Sequence, residues 1–148
     1  MLTVSVMVTP AELEAFLARG FPELATGDMS VLRVGAHDLE LLLRIKSYHL
    51  RPGATVSGPT LMMMADTATW LSLAAHLGPE RAVGAVTTTL AMNFLRRPPH
   101  DEDLRAHARL LKVGKRLCFA EVSIHGASAA TDDEPVAHAT VTYARADG

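Results

Sequence analysis

From Ser57 to Gly78 the chain reads SGPTLMMMADTATWLSLAAHLG, a long apolar run broken by a single acid, Asp66. Its two ends carry start and stop chemistry. Ser57 and Gly58 are both accepted N-cap residues, and Pro59 suits a first helical turn, where a backbone N–H has no partner to lose. At the other end His76 stands in the last turn, Gly78 can take a left-handed cap and Pro79 blocks continuation. Between these limits Met62, Met63, Met64, Ala65, Ala68, Trp70, Leu71, Leu73, Ala74 and Ala75 fall on every side of the helical wheel. A helix apolar all round is a buried helix. Ser, Thr and Asp punctuate it, and it falls short of the about 20 mostly apolar residues that a bilayer span wants. The remainder of the chain must therefore cover it.

Asp66 is the discordant residue. Its neighbours one turn away are Met62, Met63, Thr69 and Trp70, so its own helix offers no cation. An unpaired buried carboxylate costs several kcal/mol or takes up a proton. Two readings follow. Asp66 is satisfied by a cap, a backbone N–H or a basic side chain from another segment, Arg51 or Arg96; or it is a site carboxylate, because such acids gather at functional clefts.

The segments outside the helix read as sheet. Thr9-Pro10-Ala11-Glu12 is a cap, a first-turn proline and a capping-box acid, and Leu13, Phe16 and Leu17 follow at helical spacing, so a short amphipathic helix runs to Gly20. Val31 to Val34 and Leu39 to Ile45 read as two strands about Gly35. Period-two alternation returns after the central helix, with Val86, Leu90, Met92 and Phe94 on one face and Thr87, Thr89 and Asn93 on the other. Three further strands alternate in the same way through Leu104 to Leu110, Cys118 to His125 and Ala137 to Tyr143, parted by polar turns, among them the loop around Asp132-Asp133-Glu134. One apolar and one polar face per strand, on short connections, predicts an α+β fold in which an antiparallel β-sheet wraps one long central α-helix.

At 148 residues the chain makes one domain, with residues 1–30 as a helical N-terminal extension and 31–145 as the core. A net charge of −2, with the basic residues thinly spread, leaves no electrostatic footprint for nucleic acid. The single Cys118 excludes an intrachain disulfide and sits in a strand-like run as a small core residue. MLTVSVMVTP has neither a basic leader nor a long apolar core, so a cytoplasmic protein with no membrane partner is expected. Gly-rich phosphate loops, nucleophile elbows and cysteine pairs are absent. The seven histidines, His49, His76 and His138 among them, lack metal-ligand spacing, so no metal or resident cofactor is expected.

The ordered set of a glycine-containing cap, a buried helix with Ala-Asp-Thr-Ala at its middle, a strand ending Asn-Phe-Leu-Arg and a Lys-x-Gly-Lys turn resembles the hotdog-fold acyl-CoA thioesterases of the phenylacetate-degradation (PaaI-like) type. It spans about His49 to Tyr143. The resemblance implies the hotdog fold, a homodimer or tetramer, and an acyl-CoA substrate with aryl or medium-chain acyl groups. It makes Asp66 the catalytic carboxylate and the Gly58 N–H the group that polarises the thioester carbonyl. Arg51 stands where relatives carry an Asn near the reacting group, and Thr87 or Thr89 lies near a Ser or Thr that positions water. Arg96 and Arg97, with Lys112, Lys115 and Arg116 of the turn, match the segments that meet the phosphates of coenzyme A, while Met62 and Trp70 would line the acyl slot. Ser57 and Pro59 depart from the family's His-Gly-Gly, which keeps open a relative that binds acyl-CoA without hydrolysing it. Eight residues separate Gly58 from Asp66, about 12 Å along a helix axis, so both reach one carbonyl only when they come from different subunits.

Overall fold

A computed structural model describes residues 8–24, 26–130 and 133–148; the first seven residues and Asp132, on which two of the expectations above fall, lie outside the described residues. The chain begins with helix α1 (Pro10–Gly20), capped as its sequence requires: the Thr9 hydroxyl accepts the Glu12 N–H at 3.2 Å. Strands β1 (Met29–Val34) and β2 (Asp38–Leu43) form a hairpin, and β3 (Leu50–Arg51) pairs with β4 (Thr55–Val56) as a separate short ribbon. Helix α2 (Gly58–Leu77) follows, then the single turn α3 (Pro79–Ala82) and strands β5 (Val86–Phe94), β6 (Leu104–Val113), β7 (Leu117–Gly126) and β8 (Ala137–Ala144). The main sheet is antiparallel with strand order β1-β2-β6-β7-β8-β5, which leaves β5 and β1 as its edges.

Helix α2 lies across β2, β6 and β7. Leu61, Met64, Leu71 and Leu73 are buried to 2 % exposure or less against Leu39, Leu41, Leu104, Val122 and Ile124. Each such side chain contributes about 1.5–3 kcal/mol by leaving water. The small Ala106 and Ala108 of β6 stand under the helix and make room for its larger side chains. Its N-cap is Ser57, whose Oγ accepts the Thr60 N–H at 3.2 Å. Gly78 does close the helix with a positive φ of 94°, but its ψ of 142° is extended rather than left-handed helical, and Pro79 opens α3 instead of a loop. None of the described helices is long and apolar enough to cross a membrane.

Helix α1 covers the C-terminal half of α2 through one aromatic stack. The rings of Phe16 and Trp70 stack at 4.3 Å, Phe21 meets Trp70 edge-on at 5.2 Å, and the indole N–H donates to the Ala82 carbonyl at 3.0 Å. A Cβ at Gly20 would stand 2.8 Å from the Trp70 ring, so glycine is what lets the helix end close over it.

The alternation expected in β5 fails at one place. The register against β8 shifts between Thr87 and Thr89, placing Thr87 opposite Tyr143 and Thr89 opposite Thr142, so a β-bulge at Thr88 separates two threonines that simple alternation put on one face. Thr87 shares the helix-facing side with Tyr143, and Thr89 shares the outer side with Thr142.

Candidate active site

Asp66 sits in the middle of α2, half-buried, beneath the start of β5 and the end of β8. Its Oδ1 accepts the Thr87 hydroxyl at 2.6 Å and the Tyr143 hydroxyl at 2.7 Å; the phenol oxygen also lies 3.1 Å from the Asp66 carbonyl. Oδ2 accepts no hydrogen bond among the described residues, and no Arg or Lys pairs with this carboxylate. Of the alternatives left open for Asp66, a basic side chain such as Arg51 or Arg96 is therefore overturned. Hydroxyl groups take the place of the cation, because β8 brings Tyr143 and the bulged β5 brings Thr87 to that side of the helix. Burial pushes the Tyr143 phenol far above the ordinary tyrosine range, with the Asp66 charge adding to it, so Tyr143 keeps its proton and remains a donor.

The carboxylate lies at the wall of a cavity of about 580 Å³ whose other walls are mainly apolar: Leu17, Phe21, Met63, Trp70 and Val83. Of the two residues expected to line an acyl slot, Trp70 lines this cavity and Met62 does not. At about 100° per residue Met63 and Trp70 flank one side of Asp66 and Met62 falls on the other, where it is 39 % exposed. Helix α1 supplies Leu17 as a wall, a contribution no local pattern in the sequence announced.

Gly58 occupies a different cavity, of about 490 Å³, with Arg51, Phe94, Arg96 and Arg97 around it. Its N–H, the first of α2, donates to nothing among the described residues and stands at the positive end of the helix dipole. Among the described residues Arg51 and Arg97 form no ion pair, and Arg96 donates only to the Glu134 carbonyl. Three guanidinium groups without carboxylate partners beside a free helix amide make an environment suited to an anion. The structure does not bring Lys112, Lys115 and Arg116 into this group. They stand on the β6–β7 hairpin, whose Arg116 carbonyl accepts the Arg145 N–H beside Ala144, the partner of Val86, whereas Arg96 and Arg97 follow Phe94 at the other end of β5. Thr89, opposite Thr142, stands on the outer side of the sheet, and among the described residues it makes no hydrogen bond to Asp66.

His49 lies behind the cap. Its Nδ1 accepts the Lys46 N–H at 2.9 Å, its Nε2 faces the Asp28 carboxylate at 3.8 Å, and its carbonyl receives the Ser57 N–H at 2.9 Å. Burial holds its imidazole below the usual histidine range, so it acts as a neutral brace for the start of α2. Ser57, at the position of the family's imidazole, caps the helix.

A family model described as the thioesterase superfamily matches residues 53–129. Among solved structures, one named a "putative thioesterase" from Silicibacter sp. TM1040 is 34% identical over 95% of this chain and 94% of that one, with a TM-score of 0.83. Thioesterase superfamily member 2 of zebra fish is 16% identical over 93% of this chain and 98% of its own, with a TM-score of 0.78. A "hypothetical thioesterase protein with coenzyme A" from Streptococcus pneumoniae TIGR4 is 14% identical over 94% of this chain and 98% of its own, with a TM-score of 0.71. The last two show likeness of fold alone. Comparison with curated proteins finds no match.

Proposed function

Because the chain belongs to the hotdog-fold thioesterase superfamily, we propose that it is a PaaI-like acyl-CoA thioesterase of the cytoplasm, acting on aryl or medium-chain acyl groups through Asp66 of one subunit and the Gly58 amide of another. The observation that carries this reading is the one-sided anchoring of Asp66: two hydroxyls hold Oδ1 at the wall of an apolar cavity.

The division of labour follows from charge. The acyl group enters the cavity lined by Trp70, Phe21 and Met63, where its apolar surface leaves water. The phosphates of coenzyme A meet Arg96 and Arg97, with Arg51 nearer the thioester. The Gly58 N–H donates to the carbonyl oxygen and stabilises the oxyanion as the carbon becomes tetrahedral. Asp66 either takes a proton from water that attacks the carbon, or attacks it directly to give a mixed anhydride that water then opens. In both routes the C–S bond breaks, a C–O bond forms, and the proton released by water ends on the coenzyme A sulfur or in solvent.

In one chain the two groups line separate cavities. A second copy is what joins them. On α2 the exposed apolar residues Pro59 and Met62 run in line with half-buried Asp66, and beside them lie Phe94, 54 % exposed, and the unpaired edge of β5. Pairing of that edge with its equivalent in a second copy, antiparallel, would set the Arg96–Arg97 end of one subunit beside the Lys112 to Arg116 hairpin of the other, reuniting the five basic residues expected to hold coenzyme A.

Release of free thiol from a panel of acyl-CoA thioesters tests the proposal. Turnover with aryl or medium-chain substrates is expected, falling at least about 10²-fold in Asp66→Ala with the melting temperature retained. Tight binding with no turnover by the wild-type protein would make it a carrier of acyl-CoA instead.

A further inference from the structure

We infer that Tyr143 is a positioning residue for this reaction, fixing the Asp66 carboxylate so that Oδ2 is the oxygen that meets water or the thioester carbon. The inference rests on the thioesterase reading above and extends it to a residue and an atom.

A carboxylate on a helix can turn about its side-chain torsions and present either oxygen. Here that freedom is removed from two directions. The Thr87 hydroxyl reaches Oδ1 from β5 at 2.6 Å, and the Tyr143 hydroxyl reaches the same oxygen from β8 at 2.7 Å. The phenol is held by burial, the residue being 4 % exposed in the core, and its single proton, within reach of the Asp66 main-chain carbonyl at 3.1 Å, has Oδ1 as the nearer acceptor. Both donors occupy one oxygen, and Oδ2, with no partner among the described residues, is left to act.

The two donors differ in kind. Thr87 is exposed and lines the cavity, where a hydroxyl can turn toward water. Tyr143 is buried, and burial holds its phenol above the ordinary tyrosine range, so it stays a donor to Oδ1. The hydroxyl is directed at the Asp66 carboxylate and main-chain carbonyl, so orientation of that carboxylate is its contribution. Orientation of this sort acts on the chemical step and not on the affinity for coenzyme A, whose phosphate-binding arginines lie in the other cavity.

Steady-state kinetics of Tyr143→Phe test this with an acyl-CoA that the wild type hydrolyses. The expected result is a kcat lowered about tenfold to a hundredfold, as for loss of one hydrogen bond to a charged group, with KM within about twofold. In an Asp66→Asn background the same substitution should cost nothing further, because a residue that acts through Asp66 has nothing left to orient. An unchanged kcat in Tyr143→Phe, or a second loss of equal size in the Asp66→Asn background, overturns the role. A measurement that does not depend on folding of the phenylalanine variant uses 3-fluorotyrosine, since the chain has only two tyrosines. Asp66→Asn should move one of the two fluorine resonances, and failure to move either also overturns it. A wild type inert towards every thioester is a different failure, which removes the hydrolase reading and this role with it.

Discussion

Gly58 and Asp66 carry the proposed chemistry in different ways, one through its backbone and one through its side chain, and substitutions separate the two. The Gly58 amide is lost in Gly58→Pro. Position N1 tolerates proline, and Ser57 already has the extended conformation, φ −70° and ψ 149°, that a residue before proline requires. Gly58→Ala keeps the N–H and adds only a Cβ 3.4 Å from the Phe94 ring. Turnover should therefore fall about 10²- to 10³-fold in the proline variant, the usual effect of losing one oxyanion donor, and stay near wild type in the alanine variant. Equal losses in the two would assign the effect to crowding against Phe94 and release the amide from its role. For Asp66 the sequence revealed the problem, a carboxylate among methionines, but not its solution. Tyr143 lies 77 residues away along the chain, and nothing local marks a strand tyrosine as a donor to a helix acid. The alternatives offered by composition, Arg51 and Arg96, were cations; the fold supplied neutral hydroxyls and left the arginines facing the other cavity.

Among the elements, α2 was the most legible because both of its caps are written in residue type. Ser57 shows how such a cap is used: its Oγ accepts the Thr60 N–H at 3.2 Å and exchanges a 2.7 Å hydrogen bond with the Thr60 hydroxyl. Ser57→Ala should cost about 1 kcal/mol, a fall of about 2–4 °C in melting temperature, and should reduce turnover only modestly, because the Gly58 N–H remains. A loss of turnover as large as that of Asp66→Ala, with stability unchanged, would instead make the Ser57 hydroxyl part of the chemistry. The strands were legible as alternating runs, yet β5 was misread at one point. Alternation assumes an unbroken pleat, and the bulge at Thr88 adds one residue that period-two counting cannot see, so Thr87 and Thr89 part company and only Thr87 reaches Asp66. The same limit hid α1 as a wall of the cavity. Its amphipathic pattern told which face is buried and not that Leu17 would stand opposite Met63 and Trp70.

At the scale of the molecule, the two groups to which the proposal gives the chemistry line separate cavities in one chain. The apolar cavity has the carboxylate and no activated amide, and the arginine-rich cavity has the amide and no carboxylate. Complementation between inactive variants turns this into a measurement. In a heterodimer of Asp66→Ala with Gly58→Pro, one site combines the intact Gly58 of the first chain with the intact Asp66 of the second, and the other site carries both lesions. Equal mixing with free exchange makes half of the dimers mixed, each with one working site of two, so refolding the variants together should restore about a quarter of wild-type turnover. Each variant refolded alone should stay inactive. If both groups served a carbonyl from within one chain, every site in the mixture would carry a lesion and no activity would return. Recovery by mixing thus tests, without a ligand-bound structure, whether the carbonyl is held by one polypeptide and attacked through another.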